Sequence, residues 1–400
     1  MPLNAALALM MTAFHPLPAY DLSAGSPERS RPYQVGGHGI EPGATATGFL
    51  FSVAVPEGNY RVILRLGDAR AAGDTTVKAE ARRLMLKSVV TRPGQFVERR
   101  FIVNVRNSAL PPPPATAPGG RSVRIDARDA QEYTWDEKLT LEFLGNPAVA
   151  SVRIEPVDAP TLYLAGDSTV TDQYAEPAAS WGQMLPAMLD GTIAVANHAK
   201  SGATLKSFLT DLRFDKLLSG MKAGDWLFIQ FGHNDQKAEW PQTYADAATT
   251  YRAYLRAYVA EARRRGGRVA LVTSPERRNF EPDGRIRDTL GAYADAMRAV
   301  AAEEGVPLID LHADSRAIYE ALGPRVSPSA FNDGGRDKTH HNNYGAWLLA
   351  SAVAEQVRAK IPELASHVTM RAFNPARPPL VDAVAIASSL IHSAQRPPGS

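Results

Sequence analysis

The stretch TLYLAGDSTVTDQ, residues 161–173, decides how the fold is interpreted. Its first residues, Thr161–Ala165, are apolar or favour strands, as expected for a short strand that is buried on both faces. The apolar run then stops at Gly166, Asp167 and Ser168, which are residue types common in turns. Ser168 is therefore either a turn residue or a nucleophile at the end of a strand, and the rest of the chain has to decide between the two.

Four more strand-like runs follow this one, and helical stretches separate them. The predicted strands are Thr161–Ala165, Ile193–Asn197, Asp225–Phe231, Arg268–Thr273 and Val306–Asp310. The predicted helices lie near Trp181–Leu189, Thr204–Leu218, Tyr244–Arg265, Asp288–Glu304 and Tyr344–Lys360. This alternation predicts a three-layer, flavodoxin-like α/β domain with a parallel five-stranded sheet. In such folds the site lies beyond the carboxyl ends of the strands.

The chain before residue 158 shows a different pattern, which predicts strands alone. Alternating apolar residues in GNYRVILRLG, RRFIVNVR and KLTLEFLG are typical of half-buried strands, and turns rich in Gly and Pro separate them. Several short strands of this kind predict an all-β sandwich. We therefore expect a β-sandwich domain at 20–157, an α/β domain at 158–370 and a C-terminal arm at 371–400, in which VDAVAIASSLI is a candidate docking helix.

Length and composition agree with two globular domains. The chain has 400 residues, more than one core usually supports, and 44% of them are hydrophobic. The formal net charge is +2, and no run of Lys or Arg is interleaved with aromatic residues, so we expect no nucleic-acid partner. The absence of cysteine excludes disulfides, thiolate catalysis and Cys-ligated zinc.

The N-terminus carries the apolar stretch MPLNAALALMMTAF, which is too short to span a bilayer. It is similar to the core of a signal peptide, although the first basic residue is Arg29 and the usual positive start is missing. We therefore predict a leader at 1–19 and a secreted or periplasmic protein. No other segment has the pattern of a transmembrane helix, so no membrane partner is expected.

Residues capable of chemistry follow four of the five predicted strands. Ser168 follows the first strand, Gly202 in NHAKSGATLKSF follows the second, and Asn234 in GHNDQ follows the third. Asp337 and His340 in DKTHHNNYGA come after the fifth strand, at the start of the last helix. Because the carboxyl ends of parallel strands meet at one edge of the sheet, we expect these residues to lie close together.

These residue types can together perform acyl transfer. A serine hydroxyl needs a base to remove its proton, and His340 can supply the imidazole that usually does so. Asp337, three residues earlier, can accept the Nδ1–H of this imidazole and orient the ring. The backbone N–H groups of Ser168 and Gly202 and the side-chain amide of Asn234 are suitable donors for the oxyanion of a tetrahedral intermediate.

The motifs resemble the four blocks of the SGNH (GDSL-like) hydrolases. The segments AGDSTVTDQ, SWGQMLP, NHAKSGATLKSFL, IQFGHNDQK and DKTHHNNYGA are similar to the rhamnogalacturonan acetylesterase branch, and PEGNYRVILRLG, AEARRL and WDEKLTLEF to the galactose-binding-like β-sandwich that precedes some bacterial members. The resemblance implies an SGNH hydrolase domain that removes O-acetyl groups from plant cell-wall polysaccharide. It also implies catalytic roles for Ser168, Asp337 and His340, and oxyanion-hole roles for Ser168, Gly202 and Asn234.

Several neighbouring residues are expected to support this site. Asp167 is predicted to brace the turn of Ser168, and His233 and Asp235 are predicted to orient the third loop. His341 stands where the family usually has an aromatic or apolar residue, and we expect it to affect the rim of the pocket. Trp240 is a candidate contact for sugar, because an aromatic ring can cover the apolar face of a sugar ring.

Other functions are compatible with parts of the pattern. The Asp and His residues near the site suggest a dinuclear metal centre, but no HExxH motif is present. A dinucleotide cofactor is not expected either, because no GxGxxG follows the first strand. We therefore expect an enzyme without metal or cofactor, acting on an acetylated polysaccharide or oligosaccharide. A lipase- or lysophospholipase-like esterase and a non-catalytic carbohydrate-binding protein are the alternatives, and both rhamnogalacturonan (pectin) and xylan stay open as substrates.

Overall fold

Two regions of different sheet type make up the chain, and the computed structural model describes residues 18–112 and 119–398 of it. The strands are β1 (Tyr20–Asp21), β2 (His38–Ile40), β3 (Gly48–Ala54), β4 (Gly58–Leu66), β5 (Gly73–Ala79), β6 (Arg83–Thr91), β7 (Val97–Val105), β8 (Lys138–Asn146), β9 (Val149–Pro156), β10 (Thr161–Gly166), β11 (Ala194–Asn197), β12 (Trp226–Gln230), β13 (Arg268–Val272) and β14 (Leu308–Ile309). The α-helices are α1 (Trp181–Met184), α2 (Leu205–Thr210), α3 (Arg213–Gly220), α4 (Thr250–Arg264), α5 (Gly291–Glu304), α6 (Leu311–Val326), α7 (Asn343–Lys360) and α8 (Pro362–Ala365).

The first nine strands form two antiparallel sheets, with the orders β1-β9-β4-β7 and β2-β3-β8-β5-β6. Apolar side chains from both sheets meet in one core, for example Val62 and Leu64 of β4 and Phe51 and Leu141 of β3 and β8, all fully buried. The inward-facing residues recur at every second position, which is the period of a strand. This region is therefore a β-sandwich, as the alternating pattern predicts.

Strands β10–β14 form a parallel five-stranded sheet with the order β11-β10-β12-β13-β14. Helices α1, α6 and α7 pack in the core on one face, and α2–α5 pack in the core on the other. The first strand of this region thus lies between the second and the third, which is the doubly wound arrangement of flavodoxin-like domains. The predicted three-layer fold class is confirmed.

The helices differ from the sequence prediction most clearly in two places. The helix predicted at Thr204–Leu218 is divided into α2 and α3, because Leu212 adopts a left-handed backbone conformation with a φ of 60°. Helix α6 is absent from the prediction, and near its end Gly323, with a φ of 69°, and Pro324 interrupt the helical backbone. The first difference divides a predicted helix and the second adds a helix, and both leave the parallel sheet with the strand order β11-β10-β12-β13-β14.

The C-terminal arm runs along both regions, and the prediction of a docking helix in it was wrong. Only Val381–Ala383 form a short 3₁₀ turn there. The backbone N–H of Ser389 instead donates to Glu176 Oε1 at 3.0 Å, and its hydroxyl donates to Glu142 Oε1 at 2.7 Å. Glutamates of both regions therefore accept hydrogen bonds from the arm and hold this part of it against the two regions.

The predicted leader at 1–19 falls almost wholly outside the described residues, which begin at Pro18. Among the helices that the structure describes, none combines the length and the apolar character needed to cross a membrane.

Buried cations at the end of β5, in the β5–β6 turn and at the start of β6 join the sandwich to the α/β region. Lys78 and Arg82 both pair with Glu176, at 2.8 and 3.3 Å, and Arg83 pairs with Asp172 at 3.1 Å. All five side chains are 6% exposed or less. A charge in the interior is stable only with partners this close, so these pairs constrain the loop that follows β10.

Candidate active site

Ser168 lies on a tight turn at the carboxyl end of β10. The turn begins at Gly166, where a Cβ atom would come within 2.5 Å of Val170 Cγ2 and 2.9 Å of the Gln230 carbonyl oxygen, so a larger residue does not fit. The backbone N–H groups of Val170 and Thr171 then donate to the carbonyl oxygen of Asp167, at 3.1 and 3.0 Å. A glycine followed by this hydrogen-bonded turn leads the chain off the strand immediately before Ser168.

Asp167 is bonded on both carboxylate oxygens. Its Oδ1 accepts hydrogen bonds from the backbone N–H and the hydroxyl of Thr169, both at 2.9 Å, and its Oδ2 lies 3.3 Å from His233 Nδ1. Burial raises the pKa of Asp167, but attraction to His233 and the bonds from Thr169 outweigh it, and the pKa is lowered. A fixed carboxylate of this kind holds the turn before Ser168 against the loop after β12.

Ser168, His340 and Asp337 form one chain of hydrogen bonds. His340 Nε2 lies 2.8 Å from Ser168 Oγ, and His340 Nδ1 lies 2.9 Å from Asp337 Oδ2. An ionised carboxylate can only accept, so Nδ1 carries the hydrogen and Nε2 is left to accept the serine proton. The sequence separates Ser168 from His340 by 172 residues, and the structure brings them together at the edge of the sheet.

Local backbone bonds hold Asp337 in position. Its Oδ1 accepts from the N–H groups of Thr339 and His340, at 2.9 and 3.0 Å. Burial raises the pKa of Asp337, but the hydrogen bond and the charge attraction of His340 outweigh it and hold the pKa well below its usual range. The carboxylate thus stays ionised and can stabilise a positive charge on the imidazole.

The loops that carry Gly202 and Asn234 contact one another. Gly202 has a left-handed backbone with a φ of 81°, which favours glycine. The buried amide of Asn234 donates from Nδ2 to the carbonyl oxygen of Ala203 at 3.0 Å. An amide nitrogen carries two hydrogens, so one further hydrogen can be donated. Asn234 is therefore fixed beside the Gly202 turn while retaining the capacity to bind a substrate oxygen.

Asp235 links the third loop to the helix after the second loop. Its Oδ1 accepts from the backbone N–H of Leu205, the first residue of α2, at 2.9 Å. Burial raises the pKa of Asp235 to about 7. Tyr293 donates its hydroxyl to the carbonyl oxygen of Ala245 at 2.8 Å, on the segment that follows the same loop. These contacts concern the shape of the loop, and none of them involves Ser168 Oγ.

Two glutamines near Ser168 were missed by the sequence reasoning. Gln173 is fully buried and donates from Nε2 to the carbonyl oxygen of Ser168 at 2.7 Å. Gln230, the last residue of β12, accepts from Trp181 Nε1 at 2.7 Å and donates to Thr169 Oγ1 at 2.7 Å. The only signal in the sequence is an amide at the end of an apolar run, as in WLFIQ, which is unusual because a buried amide needs partners.

His341 packs beneath the site and not at its rim. It is 1% exposed, and its Nε2 lies 2.7 Å from the hydroxyl of Tyr319. Its ring also lies 4.6 Å from that of Phe331, measured between centroids. Burial, together with the charge of neighbouring His340, lowers the pKa of His341 to about 3. The prediction that His341 affects the rim was wrong, because backbone bridges to Ala179 and Phe331 hold this residue in the interior.

Trp240 is partly exposed on the loop after β12. The residue is 38% exposed, and Lys237 Nζ lies 4.1 Å from the ring centroid. Trp181, in contrast, is fully buried under the Ser168 turn. Of these two tryptophans, only Trp240 presents a ring to which a bound sugar has access.

One group of possible metal ligands occurs among the described residues, and it includes none of Ser168, Asp337 and His340. Ligand atoms of Glu276, Asp288 and His312 lie within 4.8 Å of one another. Both oxygens of Glu276 are occupied, because they accept from the backbone N–H groups of Arg277 and Thr289 at 2.6 and 2.7 Å. The group is therefore better explained as a cap on the segment that leads into α5 than as a metal centre.

Comparison with known proteins defines the class to which this fold and site belong. Residues 164–348 match the GDSL-like Lipase/Acylhydrolase family. The matched range begins within β10, includes the turn of Ser168 and ends beyond His340. The chain is also 39% identical over 223 residues to the rhamnogalacturonan acetylesterase RhgT of Bacillus subtilis, a match that covers 52% of this chain and 94% of RhgT. The chain belongs to the GDSL-like lipase/acylhydrolase family, as its motifs predict.

A second relative is similar over both regions. The uncharacterized esterase YxiM of Bacillus subtilis is 27% identical over 355 residues, which cover 85% of each protein. The crystal structure of the same protein superposes with a TM-score of 0.50 at 24% identity, covering 85% of this chain and 98% of that structure. The similarity in fold therefore extends across the sandwich and the α/β region together.

Proposed function

We propose that this protein is a serine esterase that removes O-acetyl groups from plant cell-wall polysaccharide, with acetylated rhamnogalacturonan as the first candidate substrate. The observation that carries the proposal is the hydrogen-bonded chain from Asp337 through His340 to Ser168. The similarity to RhgT, which is named a rhamnogalacturonan acetylesterase, supports the choice of acyl group and polymer.

In the proposed reaction, Ser168 Oγ attacks the acetyl carbonyl carbon while His340 Nε2 takes the hydroxyl proton. The oxygen of the tetrahedral intermediate accepts from the N–H groups of Ser168 and Gly202 and from Asn234 Nδ2. The ester C–O bond then breaks, and the sugar hydroxyl leaves with the proton from His340. A water molecule, deprotonated by the same imidazole, then attacks the acetyl-enzyme; acetate is released, and His340 returns the proton to Ser168 Oγ.

The test is acetate release from a panel of acetylated rhamnogalacturonan, acetylated xylan and acetylated pectin, with and without chelator. We expect release by the wild type, unaffected by chelator, and none by Ser168→Ala, with an unchanged melting temperature. Acetate release at the wild-type rate by a folded Ser168→Ala protein would refute the proposal.

Two further assays with the wild-type protein distinguish the proposed function from the two alternatives. A lipase-like esterase hydrolyses long-chain nitrophenyl esters faster than the acetyl ester, whereas the proposed enzyme prefers the acetyl ester. A non-catalytic carbohydrate-binding protein is not labelled by a fluorophosphonate probe, whereas an activated Ser168 reacts with it.

We also propose the domain division of 20–157, 158–370 and 371–400, and export of the protein from the cell. The change from antiparallel to parallel pairing between β9 and β10 supports the first boundary. Export follows from the proposed substrate, which is a polymer outside the cell. Detection of activity in the culture medium of the producing organism tests it.

A further inference from the structure

Gln173 connects the turn of Ser168 with the turn of Gly202. Its Nε2 donates to the carbonyl oxygen of Ser168 at 2.7 Å and to the hydroxyl of Ser201 at 3.3 Å. Both hydrogens of one buried amide are thus used to hold two loops together. These loops carry two of the proposed oxyanion donors, the N–H groups of Ser168 and Gly202.

The sandwich side of the chain in turn holds Gln173. Arg128 Nη2 donates to Gln173 Oε1 at 2.7 Å, and Arg82 Nη1 donates to the Gln173 carbonyl oxygen at 2.8 Å. The guanidinium of Arg128 fixes which end of the amide accepts, so the NH₂ group must face Ser168 and Ser201. The orientation of Gln173 is therefore set by residues that precede the α/β region.

The same segment also binds the second loop directly. Lys200, two residues before Gly202, lies with its Nζ 3.0 Å from Asp126 and 3.6 Å from Asp129. Asp129 is buried and also pairs with Arg213 at 2.5 Å. Residues 126–129, here called the clamp segment, thus contact the Ser168 loop through Gln173 and the Gly202 loop through Lys200.

We propose that the clamp segment and Gln173 set the separation of the two backbone oxyanion donors, so that Gln173 is a positioning residue and the sandwich is part of the catalytic unit. The inference rests on the proposed function, because it concerns the same oxyanion site. Displacements of about 1 Å at a reacting centre can cost roughly a hundredfold in rate. The hydrogen bonds by which Gln173 connects the two loops are therefore expected to act mainly on kcat.

The experiment measures kcat and KM for p-nitrophenyl acetate with the full chain. This ester is too small to require a carbohydrate-binding surface, so a change in kcat reports the catalytic site. Gln173→Glu keeps the size and the Arg128 contact but removes the donor to Ser168, and we expect kcat to fall roughly tenfold to a hundredfold with KM nearly constant. Arg128→Ala is expected to show a smaller fall of the same kind, and Arg128→Lys to restore part of it.

The matched control is Arg121→Ala, an exposed arginine of the same region, for which no change is expected. A second readout is inhibition by a trifluoromethyl ketone, whose adduct with serine carries an oxyanion. Its Ki should rise in proportion to the loss of kcat/KM in the Gln173 and Arg128 variants. Active-site titration and melting temperature correct each rate for the fraction of folded protein, and either Gln173→Glu or Arg128→Ala serves as the test if the other variant does not fold.

The inference is overturned if Gln173→Glu and Arg128→Ala keep the wild-type kcat on p-nitrophenyl acetate and lose at most affinity for the polysaccharide, since the sandwich then contributes only to substrate binding. A fall in rate that merely follows the fraction of folded protein overturns it as well. Absence of esterase activity in the wild type is a different result, because it refutes the proposed function itself.

Discussion

The turn at His340 is held by hydrogen bonds between residues close in the sequence, whereas the sandwich contacts the Ser168 loop through residues far apart in the sequence. Asp337 and His340 are three residues apart, and Asp337 accepts from the ring of His340 and from the backbone N–H groups of Thr339 and His340. Arg82 and Gln173 are 91 residues apart, and their bond exists only because two regions pack together. The comparison teaches that the reactive groups are arranged locally, whereas the distances between the loops depend on tertiary packing.

The largest effect is expected at the local turn. Asp337→Asn preserves the shape of the side chain but allows it to donate to Nδ1, which stabilises the wrong tautomer of His340. We expect kcat for acetyl ester hydrolysis to fall roughly ten-thousandfold, with little change in thermal stability. A loss of less than about tenfold would show that Asp337 has no role in orienting the imidazole.

A smaller effect is expected at the loop after β12. Asn234→Ala removes the side-chain oxyanion donor and also its bond to the carbonyl oxygen of Ala203. We expect kcat to fall roughly a hundredfold to a thousandfold. Steady-state kinetics with p-nitrophenyl acetate measure this, and a Ki for the trifluoromethyl ketone that stays at the wild-type value would contradict the assignment.

At the interface between the sandwich and the α/β region, we expect a substitution to change the stability of the protein. Glu176→Gln leaves Lys78 and Arg82 without their shared carboxylate, and breaking a buried pair costs about 3 kcal/mol or more of unfolding free energy. The control is Glu98→Gln, whose pair with Arg100 is more than half exposed and should cost less than about 1 kcal/mol. Urea denaturation measures both, and equal losses in the two variants would contradict the importance of burial.

Acid should weaken the same interface progressively. Burial raises the pKa of Glu176, but Lys78 and Arg82 outweigh it and lower the pKa to about 2. A carboxyl group with a lowered pKa stabilises the fold fully above its unfolded pKa of 4.5, and this contribution disappears as the pH falls towards 2. We expect the unfolding free energy to decrease across this window, and to decrease less in Glu176→Gln; identical pH profiles would contradict the assignment.

The sequence predicted the features that depend on local pattern and strand order, and it did not predict those that depend on tertiary packing. The strand ends placed Ser168, Gly202, Asn234 and His340 at one edge of the sheet, and the structure brings them there, because the edge is a property of parallel topology. Gln173 escaped notice although it stands only five residues after Ser168. Its partner Arg128 is 45 residues away, and no spacing rule connects them.

The errors have the same physical origin. His341 was expected to affect the rim because it follows His340, but adjacent residues of an extended segment point in opposite directions. Backbone bridges on both sides of the segment decided which residue faces Ser168. The expected docking helix failed similarly, because Glu142 and Glu176 offer the arm hydrogen bonds that the sequence pattern does not reveal.

The amino-acid sequence alone determined the sandwich, the parallel sheet and the family, since alternation and motif spacing are consequences of how strands bury their faces and where they end. Tertiary structure decided which amides and guanidinium groups connect the loops of the site. The reason is that a buried polar group must find its partner in space, and the chain positions of the two partners do not reveal that they will meet.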